Sequence, residues 1–186
     1  MSKLTLRFLQ SKGACSDGVA WFKAQKETDI IKVLHALEID NHWNWANWLI
    51  VRVMSRPQYL SYAIFAAEQV IETYEKRYPG NAKPRRAIEA AKAVLKNDTP
   101  KNRDAAYAAA DAADAYADAA DATYADAAAA AYAAYAAAYA ADAYGAAYAT
   151  YAADAAADAA AADAYADALR KKILEYGISL LKKENK

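Results

Sequence analysis

Apolar residues recur at intervals of three and four through the first hundred residues, and no segment alternates between polar and apolar as a half-buried strand would. Val19, Trp21 and Phe22 begin one such segment, and the next places Leu34 and Leu37 on a common helical face. Helices are therefore predicted throughout this part. Their predicted N-caps are Ser16 or Asp17, Thr28 or Asp29, and, further along the chain, Asp98 or Thr99.

The following segments continue the helical pattern. The stretch from residue 42 to residue 54 is too apolar for a helix on the surface. A further helix is predicted from Pro57, which suits a first helical turn, to Tyr78. The sequence PGNAKP, residues 79–84, is the clearest loop signal, and a short helix over residues 85–97 follows it. The predicted fold class is all-α.

Residues 104–168 consist almost entirely of Ala, Asp and Tyr, and we call them the alanine tract. Alanine has the highest helix propensity, so helix is predicted here too. One straight helix of this length would extend about 98 Å, whereas a compact domain of this size has a radius of gyration of roughly 16 Å. The tract is therefore predicted to break, at Gly145 and near residues 122–126, where Thr123 and Asp126 are candidate caps.

Aspartate and tyrosine occupy separate faces of the alanine tract. An acidic face is formed, at spacings of three and four residues, by Asp111, Asp114, Asp118 and Asp121. Two tyrosine stripes follow, namely Tyr132, Tyr135 and Tyr139, then Tyr144, Tyr148 and Tyr151. Alanine between them lets helices approach closely, and tyrosine adds buried area. If exposed, the first stripe would be a surface for a homo-oligomer.

These patterns predict one domain, a compact multi-helix bundle. Its long Ala-rich helices, in residues 104–186, are expected to pack on an N-terminal helical part, residues 1–103. The alanine tract carries eleven Asp and no Lys, Arg or Glu, so the flanking segments carry a matching positive excess. The two parts are expected to pack on each other or to face charged partners.

The single Cys15 excludes an internal disulfide. The N-terminal apolar run is too short and too charged for a signal peptide, and alanine alone is a poor membrane anchor. These features predict a cytoplasmic protein that does not enter the membrane.

Three stretches, in this order, match the sequence patterns of one known family. The stretch SKGACSDGVAWFK matches a first pattern at Gly13, Ala14, Cys15, Gly18 and Trp21. The stretch NWANWL matches a second at Trp45, Trp48 and Leu49, and RRAIEAAKAVLKND matches a third at Arg86, Ala87, Ile88, Glu89 and Ala91. In these stretches the chain resembles the immunity-five-like family of bacterial and phage immunity domains, although Asn44 stands where that family usually has Asp. The resemblance implies an all-α fold and a role in bacterial conflict, and it supplies no catalytic mechanism.

Two groups of side chains are candidate binding sites. The acidic face, Asp111 to Asp121, is predicted to bind a protein effector. The second group is predicted to bind a small anionic ligand, because a helix N-terminus and its basic residues favour negative charge. Its members are Lys83, Arg85 and Arg86 at the loop-to-helix junction, together with His42 and Trp43. The alternative for the basic residues is docking against the acidic tract.

Catalytic chemistry is not predicted. Cys15 could act with His35 or His42 as a thiol pair, but nothing in the sequence places these residues together. Glu38, Asp40 and His42 lie two residues apart, so they do not share a helical face as metal ligands would. No cofactor or metal is therefore expected.

The leading functional prediction is a non-catalytic binding protein of bacterial or phage origin, which neutralises a conflict-system partner by binding a protein effector. The alternative is a sponge that sequesters a small anionic nucleotide signal, and an enzyme comes third. Direct binding of nucleic acid is not expected. Trp45 and Trp48, three residues apart, are expected to pack in the core rather than to bind a ligand.

Overall fold

The computed structural model describes residues 3–120, 125–140, 145–159 and 163–183. These residues form eleven helices, and beyond one isolated bridge between Lys3 and Asp29 they contain no strand. The first seven are α1 (Leu6–Ser11), α2 (Ser16–Gln25), α3 (Ile30–Ile39), α4 (Trp43–Val53), α5 (Arg56–Glu68), α6 (Ile71–Arg77) and α7 (Lys83–Lys96). The alanine tract and C-terminus supply α8 (Pro100–Ala120), α9 (Ala125–Tyr139), α10 (Gly145–Asp158) and α11 (Asp163–Lys183). The predicted all-α fold is confirmed.

Short-range side-chain caps set several helix starts. Asp29 accepts hydrogen bonds from the backbone N–H groups of Ile31 and Lys32, so this predicted cap of α3 is confirmed. The prediction for α2 is wrong: its N-cap is Cys15, whose thiol accepts from the Gly18 N–H at 3.4 Å. Because the chain enters α2 one residue earlier than predicted, Ser16 already lies inside the helix.

The helix predicted from Pro57 to Tyr78 is interrupted. Helix α5 ends at Glu68, and α6 begins at Ile71 after a tight turn. Val70 of this turn is buried together with Ile71 and Tyr74 of α6.

Helix α9 is the centre of the packing, and it contacts α5, α6, α7, α8 and α10. Its buried residues are Ala131, Ala133, Ala134, Ala136, Ala137 and Ala138. A methyl group is the smallest side chain with a Cβ, so five neighbouring helices can approach this one closely. The predicted packing of Ala-rich helices on the N-terminal part is confirmed by the contacts of α9 with α5, α6 and α7.

The alanine tract changes helix at both predicted places and once more, between the end of α10 at Asp158 and the start of α11 at Asp163, where no break is predicted. Helix α10 begins at Gly145, where a Cβ would collide with the Ala140 carbonyl oxygen and with the Tyr59 ring. The other predicted break falls between Ala120, the end of α8, and Ala125, the start of α9. The proposed cap Thr123 lies outside the described residues, as does Tyr144 of the second tyrosine stripe.

The final helix closes the bundle by crossing α4 and α5. Gly177 of α11 faces the fully buried side chains of Ile50 and Tyr62. The absence of a Cβ at this crossing lets the helix backbone rest directly on those two side chains.

Replacing Gly177 with Ala should lower the free energy of unfolding by about 1–3 kcal/mol, because this crossing has no room for a methyl group. The new Cβ would lie 2.6 Å from Ile50 Cδ1 and 2.8 Å from Tyr62 Cε2. Gly18→Ala is the matched control, since its Cβ would meet Cys15 Sγ at an ordinary 3.4 Å. Urea unfolding of both variants measures the difference, and equal losses would contradict the close crossing.

Candidate functional site

A cavity of about 360 Å³ lies among α1, α2, α3, α4 and α10. Three tryptophans line it, Trp21, Trp45 and Trp48, and we call it the tryptophan cavity. Aliphatic and phenyl side chains, from Leu4, Leu9, Phe22, Val33, Leu37 and Leu49, complete its apolar surface. Its polar lining groups are Cys15, Asn44, Thr150 and Asp154. The volume lies within the range of small-molecule sites, roughly 300–1,000 Å³.

Two of the tryptophans are held in place by polar and aromatic contacts. The Trp21 indole Nε1–H donates to Asp40 Oδ2 at 2.7 Å. Trp45 stacks on the His42 ring with centroids 4.1 Å apart, and it meets Trp21 edge to face at 6.5 Å. These contacts fix the rings from outside the cavity, so the apolar surface exists before any ligand arrives.

Trp48 is fixed by a cation. The Arg52 guanidinium lies 4.3 Å from the Trp48 ring centroid and donates to the Trp48 carbonyl oxygen at 3.0 Å. The expectation that Trp45 and Trp48 pack in the core is correct only in part, because both rings are half-buried and each also lines the cavity.

A buried polar chain reaches the tryptophan cavity from the core. The Tyr62 hydroxyl, which is fully buried, donates to Asn47 Oδ1 at 2.7 Å. The Asn47 side-chain amide then donates to Asp154 Oδ1 at 2.8 Å. Burial raises the pKa of Asp154, and the hydrogen bond from Asn47 only partly opposes this effect. The chain orients one carboxyl group toward an otherwise apolar cavity.

A second depression, of about 380 Å³ and more polar, holds two of the predicted ligand residues. His42 and Trp43 line it together with Asn41, Asn44 and Arg170. His42 also stacks on Trp45, so the two cavities share a wall. The predicted pair is therefore brought together, and the cation beside it is Arg170 of α11.

The basic junction lies elsewhere. Arg85 donates two hydrogen bonds to Glu75 of α6, at 2.7 and 2.6 Å, and these hold the pKa of the Glu75 carboxyl below its ordinary value. The alternative of docking against the acidic tract is therefore wrong for Arg85. Lys83 begins α7 with its N–H donating to Asn81, while Arg86 is exposed. Because α7 packs on α5, α8 and α9, these residues line neither described cavity.

The acidic face is partly occupied by the protein's own tyrosines. Asp111 is exposed and accepts from the Tyr139 hydroxyl at 2.8 Å. This hydrogen bond, together with burial, raises the pKa of Tyr139 to about 12. Asp114 is half-buried near Tyr135. The Asp118 side chain and Asp121 lie outside the described part of the structure.

The tyrosine stripes form one half-buried layer across α8, α9 and α10. Tyr139 packs against Tyr135 and Tyr148, each with ring centroids 4.9 Å apart, and against Tyr107 at 5.3 Å. Tyr151, at the edge of the layer, is 46 % exposed. The layer therefore contributes to packing while presenting part of its surface to solvent.

The candidate catalytic residues are not assembled. Cys15 caps α2, and His35 contacts Glu38 at 3.3 Å, with no contact from either histidine to the thiol among the described residues. Asp40 accepts from Trp21 instead of facing His42. Within the same residues, no group of three His, Cys, Asp or Glu is placed to hold a metal ion, and no helix is long and apolar enough to cross a membrane.

Sequence reasoning missed the tryptophan cavity, although two quoted motifs converge on it. Its lining includes Gly13, Ala14, Cys15, Gly18 and Trp21 from the first motif, and Trp45, Trp48 and Leu49 from the second. The signal available in the sequence was that these residues occupy the matched positions of the two motifs. No protein-family profile, curated protein or solved structure matches the chain. The likeness to immunity-five-like domains therefore stays a resemblance carried by those residues.

Asp154→Asn should remove a pH dependence from the stability of the fold. A carboxyl whose pKa is raised on folding stabilises the protein when protonated, and that contribution is lost as pH rises above 3.8 through the folded-state pKa. The variant should therefore gain stability over the wild type toward pH 8 and lose this gain toward pH 4. Urea unfolding of both proteins between pH 4 and pH 8 measures this difference in stability.

The matched control for that comparison is Glu175→Gln, which removes an exposed carboxyl from α11. Its stability should follow the wild-type pH profile. An Asp154→Asn profile that runs parallel to the wild type at every pH would contradict the raised pKa of this buried group.

Proposed function

We propose that this protein is a non-catalytic binding protein that captures a small molecule with a flat apolar body in the tryptophan cavity. The observation that carries the proposal is a cavity of about 360 Å³ whose lining includes three tryptophans with rings that are already fixed. Indole faces bury a flat ligand with little loss of side-chain entropy, because the protein has ordered them in advance.

The polar groups around the cavity support capture rather than turnover. Among its lining residues, Cys15 is the strongest nucleophile, and its thiol is used to cap α2 without a neighbouring base in the described structure. A ligand enclosed here meets apolar surface and a few fixed polar atoms, which is the composition of a binding site.

The charge of the cavity changes the class of ligand expected for the predicted nucleotide sponge. Its lining contains a carboxyl, Asp154, and no Lys or Arg among the described residues. A phosphate inside would be desolvated without a cation, so the enclosed part of any ligand is uncharged or positive. A nucleotide would fit only with its base inside and its phosphates in solvent.

The motif resemblance supplies the biological setting of the proposal. In that setting a cytoplasmic protein of a bacterium or its phage withdraws a small molecule from a conflict system. Residues that carry the resemblance also line the cavity, namely Gly18, Trp21, Trp45 and Trp48.

A second candidate function is binding of a basic protein effector at the tyrosine layer. The observation that favours it is the juxtaposition of Asp111 and Asp114 with the half-exposed rings of Tyr135 and Tyr139. Tyrosine is enriched at binding hot spots, and the neighbouring carboxylates complement arginine or lysine on a partner.

Gly18→Leu should abolish ligand capture while the protein stays folded. A Cβ at Gly18 points toward Cys15 Sγ and the Trp45 ring, at 3.4 and 3.9 Å, so a longer side chain enters the cavity. Gly18→Ala, which adds only the Cβ, should keep binding. Protein purified from its native host, or from cells that carry its native partners, is heated, and the released small molecules are measured by mass spectrometry.

An intact small molecule released from the wild type and Gly18→Ala, but not from Gly18→Leu, is the expected result. Leucine has a higher helix propensity than glycine, which offsets part of the cost of packing its side chain against Trp45, so both variants should still unfold cooperatively on heating. Equal release from all three proteins would overturn the assignment to the tryptophan cavity, and a chemically converted molecule would favour an enzyme.

The double variant Asp111→Asn and Asp114→Asn should weaken binding of an arginine-rich peptide by roughly 2- to 30-fold at low salt. Asparagine keeps an acceptor for the Tyr139 hydroxyl and removes only the charge. The control removes two exposed carboxylates elsewhere, Glu72→Gln and Glu175→Gln. Equal weakening by both double variants, measured by fluorescence anisotropy, would show that only net charge matters.

A further inference from the structure

Asp154 has one carboxyl oxygen that the protein leaves unused. Its Oδ1 accepts from Asn47, and the described residues provide no other hydrogen bond or ion pair to this carboxyl. Yet no fully buried side-chain oxygen in the described structure lacks a hydrogen-bond partner. The Oδ2 atom is therefore accessible, and the space beside Asp154 is the tryptophan cavity, which this residue lines.

The carboxyl is held in a fixed orientation. Asn47 is only 5 % exposed, and the side-chain oxygen of Asn47 accepts a hydrogen bond from the Tyr62 hydroxyl. The amide hydrogens of Asn47 therefore face Asp154 and hold its Oδ1, while the half-buried Asp154 lines the tryptophan cavity. A side chain ordered in this way loses little entropy when a ligand binds.

An acidic group in this place is costly unless a ligand uses it. Asp154 sits among apolar walls, and no described cation lies within ion-pair distance of it. Arg170 favours its charged form from further away, but Asp158 opposes it, and burial is the largest influence on its pKa, which is raised. A hydrophobic side chain or an amide would avoid that cost. Buried polar groups that lower the stability of the ligand-free protein are typical of binding sites, where the ligand supplies the missing hydrogen-bond or ion-pair partner.

We propose that the tryptophan cavity selects molecules that join a flat aromatic body to a cationic nitrogen, which Asp154 binds through Oδ2. The inference rests on the proposed function, capture of a small molecule in this cavity, and adds the chemical class of the ligand. Trp21 and Trp45 also line the cavity, and an aromatic ring attracts a cation that lies over its electron-rich face. A charged donor on a carboxylate oxygen forms the stronger class of hydrogen bond.

The test compares two probes of nearly equal shape, 2-phenylethylamine and 2-phenylethanol, by isothermal titration calorimetry on the full chain at neutral pH. The amine is protonated and the alcohol is neutral. We expect the wild type to bind the amine at least about 10-fold more tightly than the alcohol, as expected for a charge-assisted hydrogen bond. Asp154→Asn should remove that preference and leave the affinity for the alcohol unchanged.

The outcomes separate this inference from the function on which it rests. Equal affinities of the wild type for the two probes would overturn the role of Asp154 and leave capture of a flat apolar molecule standing. Binding of neither probe would overturn both. Gly18→Leu should bind neither probe if both occupy the tryptophan cavity. The comparison of probes on the wild type decides the question even if Asp154→Asn does not fold, and Asp154→Ser is the second variant.

Discussion

The close approach of helix backbones across alanine faces is the constraint on which the structure depends. Helix α9 contacts five other helices, and almost every alanine in its second half is fully buried. Large side chains there would push the neighbours apart and open voids. Tyrosine therefore stays at the edge of this layer, where rings pack side by side and hydroxyl groups reach Asp111 or solvent.

The same packing builds the candidate site from distant parts of the chain. Helix α10 is held between α9, α5 and α4, which brings Thr150 and Asp154 to the tryptophan cavity of the N-terminal part. Asn47 and Asp154, which share a hydrogen bond, are 107 residues apart. The alanine tract is thus both the core of the bundle and one wall of its cavity, so fold and site cannot be assigned to separate halves.

The chain places polar groups in two contrasting ways. Arg85 and Glu75 neutralise each other at the surface of the N-terminal part, so that basic junction contributes to structure. Asp154 accepts its hydrogen bond from a neutral amide, and burial raises its pKa although Arg170 partly opposes this effect. The first arrangement stabilises the fold, whereas the second places a carboxyl beside preformed aromatic walls, and the proposed ligand specificity rests on it.

The sequence by itself determined the helical class, an α3 cap at Thr28 or Asp29 and the break at Gly145, because these depend mainly on helix propensity and on contacts within a few residues. It did not determine the cap at Cys15, the turn between α5 and α6, or the tryptophan cavity. Candidate residues such as Arg85 and His42 were separated, while Trp21, Trp45 and Asp154 were brought together. Only the tertiary structure decided this, because burial and hydrogen bonding between distant segments depend on how helices cross, and local periodicity does not specify those crossings.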